Sequence, residues 1–92
     1  MRRRQQRQVL LVLETLKEAQ NARCYAECQN GAIGIGKFIE DTIGEGTQTV
    51  ALLEDYCELL YKASSGRVGD KVLHRQMVKI ENSVRSELSP DS

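Results

Sequence analysis

Aromatic residues and proline are scarce in this 92-residue chain. It contains no tryptophan, one phenylalanine and three tyrosines, a composition typical of packed helices rather than of a β-sandwich. The only proline is Pro90, so proline interrupts none of the predicted helices. We therefore predict one all-α domain over residues 1–92, with a small core of Leu, Ile, Val and Ala.

Long apolar runs and an excess of charge of one sign are also missing. The longest uncharged apolar run near the N-terminus is Val9–Leu13, far short of the ~20 residues that a membrane-spanning helix needs. Thirteen basic and thirteen acidic residues give a formal charge of zero, which argues against nucleic acid as a partner. Three cysteines are too few for a disulfide scaffold and fit a reducing compartment. These absences predict a cytoplasmic protein without a membrane span.

A helical pattern opens the chain. Residues 4–29 are rich in Gln, Leu, Glu, Lys and Ala and contain no Gly, which predicts a first helix. Side chains at helical spacing predict its inner face: Val9, Val12, Leu16, Ala19, Arg23 and Ala26, broadened by Leu13, Ala22 and Tyr25. Asn30-Gly31 is a typical helix stop, and a connection this short would make the next helix an antiparallel neighbour.

Residues 32–64 are the central element of the predicted fold. Spacings of three and four relate the residues of one face: Ala32, Ile35, Ile39, Thr42, Gly46, Val50, Leu53, Cys57 and Leu60. Because this rhythm continues across the glycines, it favours one long helix, kinked at Gly44-Gly46. In the alternative, the helix stops at Ile43 and a new one starts with Thr47 as its N-cap. The glycines support this alternative, because each internal glycine costs a helix about 0.8–1.0 kcal/mol relative to alanine.

The last helix is predicted over residues 71–88. Ser64-Ser65-Gly66 is the preceding stop signal, and Asp70 is a suitable N-cap. The apolar residues follow the heptad spacing of a coiled coil: Leu73, Met77, Ile80 and Val84. With a frayed tail at residues 89–92, the predicted fold is a three-helix, up-down-up bundle with a long middle helix.

One glycine-rich stretch has the spacing of a phosphate-binding loop. Gly31 to Lys37 reads G-A-I-G-I-G-K, but Phe38 stands where that motif needs a Ser or Thr hydroxyl for magnesium. The motif also requires a preceding strand, and a helix is predicted there instead. We therefore predict no nucleotide site and no cofactor.

The cysteines raise the alternative of a metal- or thiol-dependent enzyme fragment. Cys24 and Cys28 are four residues apart and share a helix face, and Cys57 and His74 are further candidate ligands. On a straight middle helix Cys57 would lie about 30 Å or more from Cys28, whereas a chain that folds back at the glycines would bring the two closer. Free cysteines are commonly small core residues. We therefore predict structural thiols, no metal and no catalytic residue.

A second alternative is a small regulatory nucleic-acid-binding protein. The basic N-terminal end, formed by Arg2, Arg3, Arg4 and Arg7, could contact phosphates through charge alone. The last helix is the only candidate recognition helix, and its basic residues are Arg67, Lys71, Arg75 and Lys79. Three acidic residues, Asp70, Glu81 and Glu87, offset this charge. The sequence therefore ranks nucleic-acid binding below the function described next.

The favoured function is a non-catalytic helical interaction or assembly module that acts as a homodimer with an unknown protein partner. A middle helix longer than its neighbours would keep apolar surface uncovered, and a second copy could cover it. The predicted interface residues lie off the main apolar face: Phe38, Ile43, Leu52, Leu59 and Tyr61.

Four segments carry a resemblance to known proteins: Glu27-Cys28-Gln29, and residues 32–36, 44–47 and 53–61. In these segments the chain resembles small uncharacterised all-helical proteins of anaerobic Gram-positive bacteria. The resemblance implies a bacterial cytoplasmic protein, and it implies no activity, substrate or cofactor.

Overall fold

The computed structural model describes residues 1–90, which form four α helices joined by short loops. Helix α1 spans Arg3–Asn21, α2 spans Tyr25–Thr42, α3 spans Gln48–Ser64 and α4 spans Asp70–Glu87. The all-α class is confirmed. The prediction of three helices is wrong, because the long middle helix does not form.

The four helices are arranged in a ring. Each packs against the next along the chain, and α4 also packs against α1. Gln6 Nε2 donates a hydrogen bond to the carbonyl of Val84 (3.2 Å), so the beginning of α1 lies beside the end of α4. The topology is up-down-up-down, and the apolar core fills the centre: Val9, Leu13, Leu16, Cys28, Ala32, Ile35, Ile39, Val50, Leu53, Tyr56, Leu60, Leu73, Met77, Ile80, Val84 and Leu88.

The first turn comes eight residues earlier than predicted. Helix α1 ends at Asn21, and Arg23 takes a left-handed conformation with φ of 61°. The N–H of Cys24 bonds to the carbonyl of Ala19 (2.8 Å) and that of Arg23 to Gln20 (3.0 Å), the pair of bonds that closes a helix with a left-handed residue. Leu13 is buried, as predicted, but the inner face differs elsewhere, because Gln20 is buried while Val12, Arg23 and Ala26 are exposed.

The predicted stop at Asn30-Gly31 lies inside α2, where Gly31 has a packing role. A Cβ at this position would clash with the side chain of Leu16. Glycine therefore lets α2 approach α1 closely at this level. This close packing offsets the unfavourable left-handed conformation of Arg23, which costs about 1–2 kcal/mol in a residue with a side chain.

The chain folds back between Ile43 and Thr47, as the alternative interpretation predicted. Gly44 and Gly46 have φ of 126° and 84°, conformations that glycine adopts without steric cost. Thr47 caps α3, because its Oγ1 accepts a hydrogen bond from the N–H of Val50 (3.2 Å). Thr42 and Gly46, predicted on the inner face, are consequently exposed.

The last helix closely matches its prediction. Gly66, with a left-handed φ of 77°, lies in the turn that follows α3. Helix α4 begins at Asp70, and its N-cap is Gly69. The four heptad positions are buried, as predicted: Leu73, Met77, Ile80 and Val84. Of the predicted tail, Asp91 and Ser92 lie outside the described residues. In the described part of the chain, no helix combines the length and apolarity needed to cross a membrane.

Candidate interaction surface

The phosphate-loop spacing falls on regular helix. Residues 31–37 lie in the interior of α2, so their backbone N–H groups are engaged in helical hydrogen bonds. A phosphate-binding loop requires several such groups to point together at the anion. This stretch serves helix packing instead, through the contact between Gly31 and Leu16.

The thiols and His74 lie in different places. Cys28 is buried, with its Sγ 3.5 Å from the carbonyl oxygen of Leu16, and Cys57 is half-buried between α2 and α3. Burial raises the pKa of both thiols. Cys24 is exposed, so the prediction of a structural thiol is wrong there. His74 lies in a shallow depression between α1 and α4, away from Cys57.

This separation bears on metal binding and on thiol chemistry. Within residues 1–90, no group of three or more His, Cys, Asp and Glu side chains is placed to hold a metal ion. Folding back at the glycines therefore does not create the four-ligand cluster. A Cys57–His74 pair would also need both side chains in one cleft, whereas they lie on different sides of the helix ring.

The predicted interface residues are spread over several parts of the surface. Phe38, Leu52 and Leu59 are half-buried and pack against the core. Ile43 and Tyr61 are exposed, but they lie at opposite ends of the α2–α3 pair, about 20 Å apart along α3. Of the five, Phe38 alone lines the groove described next.

An apolar groove runs between α1 and α2. Its volume is about 590 Å³, and we call it the α1–α2 groove; it is lined by Gln8, Val9, Leu11, Val12, Gly31, Gly34, Ile35 and Phe38. Leu11 is 61% exposed and Val12 is 41% exposed. Sequence reasoning assigned Val12 to the core and did not single out Leu11. The signal was available, because Leu11 and Val12 interrupt the otherwise polar outer side of α1.

Gly34 keeps this groove open. A Cβ at Gly34 would meet no atom within 4 Å, so packing within the chain does not require glycine here. Glycine inside a helix costs about 0.8–1.0 kcal/mol relative to alanine. At Gly31, the close contact with Leu16 explains why glycine is needed. At Gly34, no contact within the chain explains it.

The charged residues of α1 are arranged with opposite signs on either side of Leu11. Arg4 and Arg7 precede Leu11 by seven and four residues, and Glu14 and Glu18 follow it by three and seven. These spacings place all five on one side of the helix. Glu14 pairs with Lys17 at 2.9 Å. Among the described residues, Arg4, Arg7 and Glu18 make no ion pair.

Comparisons with protein-family models, with curated proteins and with solved structures found no match to this chain. Function is therefore inferred from the surface of the fold, beginning with the α1–α2 groove and the flanking charges of α1.

Proposed function

We propose that this protein is a non-catalytic interaction module that pairs with a second copy of itself through the α1–α2 groove. The observation that carries the proposal is the exposure of Leu11 and Val12 beside Phe38 in one apolar groove. Contiguous apolar surface of this kind is typical of interfaces. Twofold pairing is the commonest arrangement of identical chains.

The charges of α1 favour a second copy in antiparallel orientation. A twofold axis near Leu11 would place Arg4 of one copy opposite Glu18 of the other, since both residues are seven positions from Leu11. Arg7 would likewise approach Glu14. The parallel orientation would place like charges together, and like-charge contacts at an interface cost several kcal/mol. Antiparallel pairing would therefore both bury the apolar residues of the groove and place opposite charges next to each other.

The α1–α2 groove supports a dimer, whereas the sequence suggested a dimer because of a long middle helix. Excess length of a middle helix cannot contribute, because α2 and α3 are separate helices. The proposed interface keeps Phe38 from the predicted set and adds Leu11, Val12 and Gly34. The other predicted residues, Ile43, Leu52, Leu59 and Tyr61, do not line the α1–α2 groove.

The size of the groove face suggests a weak dimer. Helix α1 has 19 residues and is about 28 Å long. Two helices side by side are about 20 Å wide, so two such faces would bury on the order of 1,100 Å² in total, near the lower limit for specific interfaces. We therefore expect dissociation in the micromolar range rather than an obligate dimer.

The first test is a light-scattering concentration series with two matched variants. Leu11→Glu introduces a charge into the groove and should abolish dimerisation. Ile33→Glu makes the same change at a similarly exposed residue, 59% against 61%, outside the groove, and should leave the dimer intact. A monomer mass for the unmodified chain at every concentration would refute the proposal.

A charge-exchange experiment tests the orientation. One variant carries Arg4→Glu and Arg7→Glu, the other Glu14→Lys and Glu18→Lys. Alone, each should be monomeric, because acidic residues would face acidic residues or basic residues would face basic ones. Mixed together, they should form a heterodimer, because every predicted pair then joins opposite charges. Failure of the mixture to associate, with an intact unmodified dimer, would refute the antiparallel arrangement alone.

We also propose that the protein works in the bacterial cytoplasm. Support comes from the three free thiols, which are typical of reducing compartments, and from the resemblance described above. Fractionation of the native host, with detection of this chain, tests the location. Recovery from a secreted or envelope fraction would contradict it.

A further inference from the structure

The outward side of α4 is strongly basic. Lys71, Arg75, Lys79 and Arg85 are all exposed, and the first three are each separated by four residues, about one helical turn or 6 Å. Lys71 and Arg85 are 14 positions apart in the sequence, so the basic row is about 21 Å long. We call these four residues the α4 basic row.

The acidic residues of α4 do not neutralise this row, although they balance it in the sequence. Glu81 is only 8% exposed, and its Oε2 lies 2.8 Å from Nζ of Lys17 on α1. The carboxylate of Glu87 accepts hydrogen bonds from the backbone N–H groups of Gln48 and Thr49, both at 2.8 Å. Two of the three acidic residues that sequence analysis set against the basic row therefore face neighbouring helices.

The third acidic residue lies at the end of the row. Asp70 is the first residue of α4, and its Oδ2 is 3.9 Å from Arg23 on the α1–α2 turn. Beyond it, no acidic side chain interrupts the exposed side of α4 between Lys71 and Arg85 in the described structure. Among the described residues, none of the four basic side chains of the row makes an ion pair.

The remaining acidic residues of the four helices and their loops lie on other elements than α4. Two belong to α1, Glu14 and Glu18, and seven belong to α2, α3 or the loop between these helices: Glu27, Glu40, Asp41, Glu45, Glu54, Asp55 and Glu58. Helix α2 makes no contact with α4, since it is diagonally opposite in the ring. Although the chain has zero net charge, its outer surface is uneven, because the exposed side of α4 carries four basic side chains and most acidic residues lie on other helices. A local basic surface of this kind attracts a polyanion even when the net charge does not.

We propose that the α4 basic row binds the sugar-phosphate backbone of duplex DNA, without reading its sequence. Lys and Arg held in a row on a rigid helix can each meet a phosphate and release its counterions. The major groove of B-DNA is wide enough to admit one face of an α helix. The major groove of duplex RNA is too narrow for this, which selects DNA.

An anionic membrane would require different chemistry. A helix that lies in a membrane surface buries a broad apolar face among the lipids. The apolar residues of α4 face the bundle core instead, and Val78, 40% exposed, is the one large apolar side chain on the basic side. The row therefore matches a phosphate backbone better than a lipid bilayer.

The test is fluorescence anisotropy of the complete chain with a labelled 20-base-pair DNA duplex of arbitrary sequence, over a series of salt concentrations. The double variant Arg75→Gln, Lys79→Gln removes two charges of the row. The double variant Lys37→Gln, Lys62→Gln removes the same number from α2 and α3 and serves as the control. Lys37, Arg75 and Lys79 are exposed and Lys62 is half-buried at the end of α3, and circular dichroism should verify that both variants keep the helical content of the unmodified chain.

We expect binding of the unmodified chain to weaken steeply with salt, with a log–log slope of about −3 to −4 for four phosphate contacts. The α4 variant should bind at least tenfold more weakly and lose about 1 unit of slope per removed contact. The control should bind as the unmodified chain does. Equal weakening by both variants, stronger binding to vesicles containing phosphatidylserine than to DNA, or no binding at low salt would each overturn the proposal.

Discussion

The hydroxyl of Tyr56 on α3 donates a hydrogen bond to Oε1 of Gln20 on α1, at 2.7 Å in the buried centre of the bundle. The two helices are diagonal in the ring, and their backbones do not approach each other closely. Burial, followed by the neighbouring Cys28 thiol, raises the pKa of Tyr56 far above its ordinary value. The hydroxyl therefore stays protonated and remains a donor throughout the usual range of pH.

Removal of this hydroxyl should be costly. We expect Tyr56→Phe to lower the free energy of unfolding by about 1–3 kcal/mol, because the Gln20 amide oxygen would be buried without a partner. The double variant Tyr56→Phe, Gln20→Leu should recover part of that loss, since both polar groups are then gone. Urea denaturation of the four proteins in a double-mutant cycle measures the coupling. Strict additivity of the two single changes would contradict a direct interaction.

Glu87 should make the free energy of unfolding depend on pH in the acidic range. Burial alone would raise its pKa, but hydrogen bonds from the Thr49 hydroxyl and from the N–H groups of Thr49 and Gln48 hold its pKa below the ordinary 4.5. A lowered pKa in the folded state stabilises the fold above the unfolded-state value, and this contribution disappears as pH falls through the folded-state pKa. Glu87→Gln should therefore cost about 1–2 kcal/mol at neutral pH, and this cost should disappear at an acidic pH below the folded-state pKa of Glu87.

The comparison for Glu87 is Glu58→Gln. Glu58 is an exposed carboxylate whose Oε1 lies 3.8 Å from Lys62, and such surface pairs contribute about 0–1 kcal/mol. Urea unfolding at both pH values should show a pH-dependent difference for Glu87→Gln and little for Glu58→Gln. Identical pH profiles would mean that the contact with the start of α3 does not stabilise the fold.

Two glycines on the same helix should respond oppositely to alanine. Gly34→Ala should raise stability by about 0.8–1.0 kcal/mol, because its Cβ enters open space and the helix gains propensity. Gly31→Ala should lower stability by about 1–3 kcal/mol, because its Cβ would force Leu16 to move within the core. Thermal unfolding at low protein concentration, where association does not contribute, measures both. Equal effects would contradict the close approach at Gly31.

The thiols should react at very different rates. Cys24 is exposed and should be modified rapidly by a thiol reagent in native buffer. Cys28 and Cys57 should react slowly, because burial raises their pKa and lowers the thiolate fraction. Cys24→Ser should remove the rapid phase, which mass spectrometry of the labelled protein can verify. Rapid labelling of Cys28 would show that the α1–α2 contact opens readily.

The sequence predicts helices best where local and tertiary preferences agree. Helix α4 combines a heptad of apolar residues, no internal glycine and a clear preceding stop, and its bounds were predicted within one residue. The α1–α2 turn was missed because its left-handed residue is Arg23, which carries no local turn signal. The break at Gly44-Gly46 was ambiguous, because continuous apolar spacing opposed the cost of glycine in a helix. In the structure the chain turns at these glycines, and the packing of α2 against α3 stabilises the break.

The surface was harder to predict than the fold. A charge count along α4 includes Glu81 and Glu87, and only the folded chain shows that they contact Lys17 and Thr49. Val12 and Leu13 were likewise both predicted on the inner face of α1, and the folded chain buries Leu13 but exposes Val12. Helical spacing alone does not decide which of two adjacent apolar residues is buried. An interface residue can therefore be assigned to the core even when most core residues are predicted correctly.

Closure of the ring by α1 and α4 also determines when the fold can be completed during synthesis. The bond between Gln6 and the carbonyl of Val84 cannot form until nearly all of the described chain has left the ribosome. Before that, the inner face of α1 lacks one of its two neighbouring helices. The core should therefore assemble as one cooperative unit, and amide hydrogens at the centres of α1 and α4 should exchange at similar, slow rates set by global unfolding.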